Sequence, residues 1–234
     1  MPFDFYYFSG YGGYLLWMLP LIVLSAVASG AVQANYHKYS KVLNRRGITG
    51  AQVAEQILQA NGIYDVGVTK ISGNLSDHYH PQQKYIGLSE GVYDSTSVAA
   101  LGIAAHEAGH AVQYHVGYGP IKLRTAILPV TNFASKFSWI LIFVGLLLHE
   151  IVALAGIVLF GITVLFQLVT LPVEFNASRR AVAVLEQGYL DEDELAGAKK
   201  VLTAAAMTYV VALLTSLWQL FRYILMIFGG RRRR

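Results

Sequence analysis

The sequence predicts a polytopic α-helical membrane protein that carries a small polar domain of mixed α+β structure. Three observations lead to this fold class. Of the 234 residues, 55% are hydrophobic and only 14% are charged, whereas about a quarter of the residues are charged in a typical soluble domain. Four long apolar stretches could each cross a bilayer as a helix. The segments between them are polar and show both helical and strand-like patterns.

The apolar stretches define the predicted membrane segments. We interpret residues 1–34 as a retained N-terminal transmembrane anchor, because the basic region that opens a signal peptide is missing. Residues 151–173 carry no charged side chain, and as a helix they would extend about 34 Å, enough for a hydrocarbon core of about 30 Å. Together with the apolar residues before them they predict a transmembrane hairpin over 127–173. Residues 201–234 are predicted to form the last transmembrane segment and a basic tail.

Basic residues flank these segments unevenly. If all four segments cross, one side of the membrane carries Lys38, Lys41, Arg45, Arg46, Lys122, Arg124, Lys136, Arg179, Arg180, Lys199 and Lys200. By the positive-inside rule that side is the cytoplasm. The arginines at 231–234 would then lie on the opposite side, so the sequence leaves open whether the last segment crosses fully.

The polar segments 35–126 and 174–200 are predicted to form one catalytic domain in two parts. In the first part, Thr49 is a candidate N-cap for an amphipathic helix that ends near Gly62. Strands are predicted over 66–73 and from residue 84 onward, with a polar loop between them.

A longer helix of good helix formers follows the second predicted strand, with Ser95 or Thr96 as its candidate N-cap. The strand that starts at Lys84 has two possible interpretations. It could pair its edge with an extended peptide, or it could be an ordinary member of a sheet.

The longer helix contains the pattern H-E-x-x-H, and the chain contains no cysteine, so a transition metal must be bound by His, Asp or Glu. On a helix, His106 and His110 present their imidazoles in the same direction, as two ligands of one tetrahedral zinc ion require. Glu107 lies beside them, where a general base for an attacking water belongs. The alternative is a helix with two ordinary histidines and an incidental glutamate. The pattern favours zinc, because three fixed letters match by chance in only about one such chain in a hundred.

A catalytic zinc site needs a third protein ligand. The longer pattern H-E-x-x-H-x-x-G-x-x-H is not followed, because Gln113 and Val116 occupy the positions of its Gly and its third His. Between residues 111 and 148 there is no Asp or Glu. His149, Glu150, Glu174 and an acidic cluster over 186–194 remain. The pair at 149–150 lies at the turn of the predicted hairpin, a bilayer away from the motif, so topology favours Glu174.

Three blocks of sequence resemble a known family. They are SDHYHP, SVAALGIAAHEAGHAVQ and LPVEFNASRRA, and they are similar to the YugP-like neutral zinc metallopeptidases over nearly the whole chain. The arrangement also resembles the HtpX-like proteases and the CAAX prenyl endopeptidases among the membrane gluzincins. The resemblance implies a gluzincin-like zinc metallopeptidase domain, a membrane-embedded endopeptidase, and an active site at the cytoplasmic face.

The sequence departs from the HtpX-like motif at one position. An Asp four residues after the ligand glutamate helps to fix a zinc-binding histidine in that motif, and this chain has Ser178 there. The surroundings of the metal must therefore differ. Candidates for this role, or for stabilising the oxyanion, are His78, Tyr79, His80, Asn176, Ser178, Arg179 and Arg180. The loop at 78–80 could instead be a plain polar turn, and the arginines could be anchors at the lipid headgroups.

These observations predict hydrolysis of peptide bonds in membrane-associated or misfolded proteins, with one Zn²⁺ per chain. Zinc would lower the pKa of an attacking water, and Glu107 would serve as its general base. The alternative is a non-catalytic membrane scaffold with a structural zinc site, which would not need a general base. The expected partners are membrane lipid and a protein or peptide substrate. Nucleic acid is not expected, because no basic domain is present.

Overall fold

The computed structural model describes residues 11–229. The start of the predicted anchor, residues 1–10, and the terminal arginines at 231–234 lie outside the described residues. In chain order the elements are α1 (Tyr11–Tyr39), α2 (Gly50–Ala60), β1 (Gly67–Ile71), β2 (His78–His80), β3 (Tyr85–Ser89), α3 (Glu90–Tyr93), α4 (Val98–His115), α5 (Gly119–Leu148), α6 (Glu150–Glu186) and α7 (Glu192–Gly229).

Four of these helices are long and apolar enough to cross a membrane, namely α1, α5, α6 and α7. Large apolar side chains remain exposed along them, for example Leu16, Leu148 and Val158. A long helix that shows apolar side chains on its outer surface is typical of a lipid-facing segment. The structure is therefore mostly helical, with four candidate membrane-spanning helices, which fits the expectation of a multi-pass protein.

The described chain divides into two compact units. An apolar unit comprises residues 11–28, 123–170 and 208–229. A polar unit comprises residues 29–122 and 171–207, and it contains the sheet and the H-E-x-x-H helix.

In the polar unit, α2 begins with the predicted cap at Thr49. The Thr49 hydroxyl accepts a hydrogen bond from the Gln52 backbone N–H at 3.3 Å, and the Gln52 side chain accepts one from the Thr49 N–H at 2.9 Å. This reciprocal capping box satisfies two donors at the helix start. The buried face of α2, with Val53 and Ile57, packs against α4.

The sheet has three strands in the order β1-β3-β2, with β1 parallel and β2 antiparallel to β3. Both predicted strands are confirmed, but the segment predicted as a polar loop contains the short strand β2. Of the two interpretations of the strand that starts at Lys84, the ordinary sheet member is confirmed and edge pairing with a peptide is excluded, because β3 is central and both of its edges are hydrogen-bonded. Within the described sheet the unpaired edges belong to β1 and β2.

The predicted N-cap of the longer helix was placed too early. The helix α4 starts at Val98, and its N-cap is Ser97, whose hydroxyl accepts a hydrogen bond from the Ala100 N–H at 3.2 Å. Ser95 instead donates its hydroxyl hydrogen to the Ser97 side chain at 3.0 Å. Ser95 therefore supports the cap from outside the helix.

Candidate metal centre

The side chains of His106, His110 and Glu174 converge between α4 and α6. The two histidines are four residues apart on α4, so both rings face α6. The Glu174 Oε2 atom lies 3.3 Å from His106 Nε2 and 3.5 Å from His110 Nε2. Potential ligand atoms of all three residues lie within 4.8 Å of one another, and no second group of this kind occurs among residues 11–229.

A glycine allows the two helices to approach this closely. Gly109 lies between the histidines on α4, and a Cβ at this position would be 3.0 Å from the Ala177 carbonyl oxygen and 3.4 Å from its Cα. Ala177 is itself fully buried, one turn of α6 beyond Glu174. Small residues at the contact therefore let the backbones come together and bring the carboxylate to the two rings.

The Glu174 carboxylate is strongly buried. Its side chain exposes only 3% of its surface, and Oε2 has no hydrogen-bond donor among the described residues. A buried carboxylate oxygen without a donor is unfavourable unless a cation balances it. The burial and the missing donor both indicate a site for a positive ion.

The electrostatic effect on His110 points in the same direction. Burial by itself lowers the pKa of the His110 ring, but the nearby carboxylates of Glu174 and Glu107 outweigh it and raise the pKa above its usual value. The carboxylates thus attract positive charge to this nitrogen, which either a proton or a metal ion can supply.

The residues fit zinc. Ligand atoms bound to one tetrahedral zinc ion at about 2.0–2.1 Å lie about 3.3–3.4 Å apart. In the structure, Oε2 of Glu174 lies 3.3 and 3.5 Å from the two histidine Nε2 atoms. Two imidazole nitrogens and one carboxylate are a donor set that zinc accepts. Three protein ligands leave a fourth position for water or substrate, as a catalytic site requires.

The second ring nitrogen of each histidine is also engaged. His106 Nδ1 lies 3.1 Å from the Ser178 hydroxyl, so the serine at the departing position of the motif contacts this ring. His110 Nδ1 lies 3.0 Å from Gln113 Oε1. Contacts of this kind fix the orientation of metal-binding imidazoles.

The sequence reasoning missed Gln113, which is fully buried. It was considered only as a departure from the longer zinc pattern. One signal could have revealed it: Gln113 lies three residues after His110 and seven after His106, on the same helical face, among apolar and small residues.

Residues 14–228 match the model of the family described as "Putative neutral zinc metallopeptidase". The chain belongs to this family. It is 46% identical over 210 residues to the "Putative membrane protease YugP" of Bacillus subtilis (strain 168), an alignment that covers 89% of this chain and 93% of that protein. No solved structure matches the chain. The resemblance inferred from the three sequence blocks is confirmed.

Glu107 lies beside the three candidate ligands of this member of the zinc metallopeptidase family. It is the residue after His106 on α4, and it exposes 9% of its surface. Its carboxylate makes no hydrogen bond or ion pair with the residues that the structure describes. A carboxylate in this position is available to hold a water molecule.

Two of the other candidate residues form one network. Asn176 Oδ1 accepts hydrogen bonds from Gln113 Nε2 at 3.0 Å and from Arg180 Nε at 2.9 Å. The network therefore connects Arg180 to the ring of His110 through two amide side chains. Arg179, in contrast, is exposed.

The candidates on β2 lie within the sheet. His78 Nδ1 is 2.9 Å from the Ser76 carbonyl oxygen, and its Nε2 is 3.2 Å from the Tyr85 hydroxyl. The His80 ring stacks on the Tyr85 ring with centroids 5.4 Å apart. The structure thus places both histidines against β3, outside the candidate metal-binding group.

Tyr79 alternates to the other face of the strand, toward α4, and its ring packs against Tyr114 at 5.5 Å. Tyr114 is one helical turn beyond His110. Of the candidates on this strand, Tyr79 therefore contacts the helix that carries the H-E-x-x-H pattern.

Proposed function

We propose that this protein is a membrane-embedded, zinc-dependent endopeptidase that hydrolyses peptide bonds in membrane-associated or misfolded proteins. The observation that carries the proposal is the buried, donor-free Glu174 oxygen facing two imidazole nitrogens, with the carboxylate of Glu107 beside them. The family description and the name of the Bacillus relative support the same activity. We propose a gluzincin-like arrangement for the polar unit.

In this proposal His106, His110 and Glu174 hold one zinc ion per chain. When bound, zinc supplies a Lewis acid that lowers the pKa of water and polarises the scissile carbonyl. Glu107 accepts a proton from the attacking water and later donates it to the leaving amine, which regenerates the carboxylate. The burial of Glu174 and of the two rings keeps the site in a low-dielectric environment, where these charges act strongly.

We further propose that the active site faces the cytoplasm. The basic residues that flank the apolar segments belong largely to the polar unit, including Lys38, Arg46 and Lys199. Because the chain has no cysteine, a single Cys at the exposed position Gln59 can report the side of the membrane. In inside-out vesicles an impermeant thiol reagent is expected to label Gln59→Cys, and labelling only in right-side-out vesicles would place the site outside.

The activity is tested with full-length protein purified in detergent. Zinc content and cleavage of an unfolded casein-type substrate are measured for the wild type, Glu107→Gln and Glu55→Gln. Glu55 is an exposed residue of α2 and provides a control with the same chemical change. We expect about one zinc per chain in all three and cleavage by the wild type and Glu55→Gln only.

Two other results would contradict the proposal. Equal cleavage by Glu107→Gln would exclude Glu107 as the general base. Stoichiometric zinc without cleavage of any unfolded protein by the wild type would favour the non-catalytic scaffold.

A further inference from the structure

We propose that Gln113 is a positioning residue that presets His110 for metal binding, as part of a hydrogen-bond relay that ends at Arg180. The relay consists of His110, Gln113, Asn176 and Arg180. It rests on the proposed zinc site, and it assigns a role to a side chain that does not itself bind the metal.

The orientation of the Gln113 amide is fixed by its surroundings. Its Nε2 lies 2.8 Å from the Val173 carbonyl oxygen, which can only accept a hydrogen bond. The amide nitrogen must therefore face Val173, and the amide oxygen must face His110. The second hydrogen of the same NH₂ group is donated to Asn176 Oδ1. Because Gln113 is fully buried, no solvent competes for these contacts.

This orientation selects one tautomer of His110. Gln113 Oε1 accepts but cannot donate, so His110 Nδ1 must carry the hydrogen. In the neutral ring the lone pair then lies on Nε2, the atom that faces Glu174. The opposite tautomer would set the lone pair of Nδ1 against the lone pair of an amide oxygen and would leave both without a donor.

Arg180 extends the relay by one step. It lies four residues after Asn176 on α6, and its Nε–H donates to the same Oδ1 atom that accepts from Gln113. The arginine thus holds Asn176 with its oxygen toward Gln113, and Asn176 holds the amide of Gln113. The relay joins the helix that bears both histidines to the helix that bears Glu174.

His106 lacks such a constraint. Its Nδ1 meets the hydroxyl of Ser178, and a hydroxyl can either donate or accept. Ser178 therefore allows both tautomers, while Gln113 allows one. Gln113→Leu and Ser178→Ala each remove one ring contact, which makes Ser178→Ala a control for the loss of a hydrogen bond alone.

The experiment measures zinc affinity by chelator competition in full-length, detergent-purified protein. Gln113→Leu is expected to weaken zinc binding about 10- to 100-fold, and Ser178→Ala should weaken it less. Absence of zinc binding by the wild type would refute the proposed function itself. Zinc binding by the wild type with an unchanged affinity in Gln113→Leu would refute only the positioning role.

A second pair of variants remains informative if Gln113→Leu fails to fold. In Asn176→Asp the carboxylate can still accept from both Gln113 and Arg180, so zinc affinity should stay near that of the wild type. In Asn176→Leu both contacts are lost, so the affinity should fall. Equal affinities of Asn176→Asp and Asn176→Leu would overturn the relay.

A spectroscopic measurement separates positioning from general stabilisation. In metal-free protein with ¹⁵N-labelled histidine, the relay predicts that neutral His110 carries its hydrogen on Nδ1, and that Asn176→Leu shifts the population toward Nε2–H. A His110 that carries its hydrogen on Nε2 in the neutral wild-type protein would overturn the proposal.

Discussion

Alanine substitution at Gly109 is expected to push α6 away from α4 and to weaken zinc binding. A Cβ at this position would lie 3.0 Å from the Ala177 carbonyl oxygen. That oxygen belongs to the backbone of α6 and cannot rotate away, so the helices must separate by a few tenths of an ångström. Glu174 is on the same helix, one turn before Ala177, and it would move with it.

The same substitution at Gly102 provides the matched control. Gly102 lies seven residues earlier, on the same face of α4. Its added Cβ would meet Ala198 Cβ at 3.5 Å, which is an ordinary van der Waals contact. Both substitutions remove a glycine from the interior of one helix, so only the contact with the neighbouring helix distinguishes them.

The magnitudes follow from these contacts. Replacing Gly with Ala inside a helix stabilises by about 0.5–1 kcal/mol, so Gly102→Ala should stabilise the protein by this amount. Overpacking typically costs about 1–3 kcal/mol, which exceeds that gain at Gly109. Gly109→Ala should therefore lower the free energy of unfolding by up to about 2.5 kcal/mol and also reduce zinc affinity.

The assay measures thermal unfolding of the metal-free protein and the zinc dissociation constant for both variants. The two substitutions should shift the melting temperature in opposite directions, and only Gly109→Ala should raise the dissociation constant. If both variants gained stability equally and bound zinc as the wild type does, the close packing at Gly109 would not be what sets the ligand separation.

Three further predictions concern the protonation of His110, the buried carboxylate of Glu194 and the exposed charge of Arg45. The pKa of His110 is raised above its usual 6.5, so protons should compete with zinc for this ring at a higher pH than they would for an ordinary histidine. Zinc affinity should therefore fall as the pH drops through this raised pKa. A zinc dissociation constant that stayed unchanged between about pH 8 and about pH 5 would contradict this prediction. Glu194→Ala should destabilise by about 1–3 kcal/mol, because the buried Glu194 accepts from the backbone N–H groups of Arg45 and Asp191. In the same denaturation assay Arg45→Ala should change the free energy of unfolding by less than about 1 kcal/mol, because the ion pairs of Arg45 with Asp191 and Asp193 are exposed. A larger effect of Arg45→Ala than of Glu194→Ala would refute this order of the two effects.

Local patterns in the sequence determined the apolar helices, the common face of the two histidines and one helix cap. The uncharged stretch at 151–173 and its counterparts predicted the spanning helices, because a helix must be apolar along about 30 Å to cross a bilayer. The spacing of His106 and His110 placed both rings on one helical face. The capping box at Thr49 was likewise readable, since it depends on residues only three positions apart.

Only the tertiary structure decided the contacts between distant segments. In the sequence Gln113 only marked a departure from the glycine of the longer zinc pattern. In the structure it donates hydrogen bonds to Val173 and Asn176 of α6, which are 60 and 63 residues away. The sequence left open whether β3 pairs with a peptide, and the structure decided it, because β2 lies within the predicted polar loop and pairs with one edge of β3. Helical and strand periodicity show which face of an element is buried. They do not show which other helix or strand covers that face, because this depends on how all elements of the unit pack together.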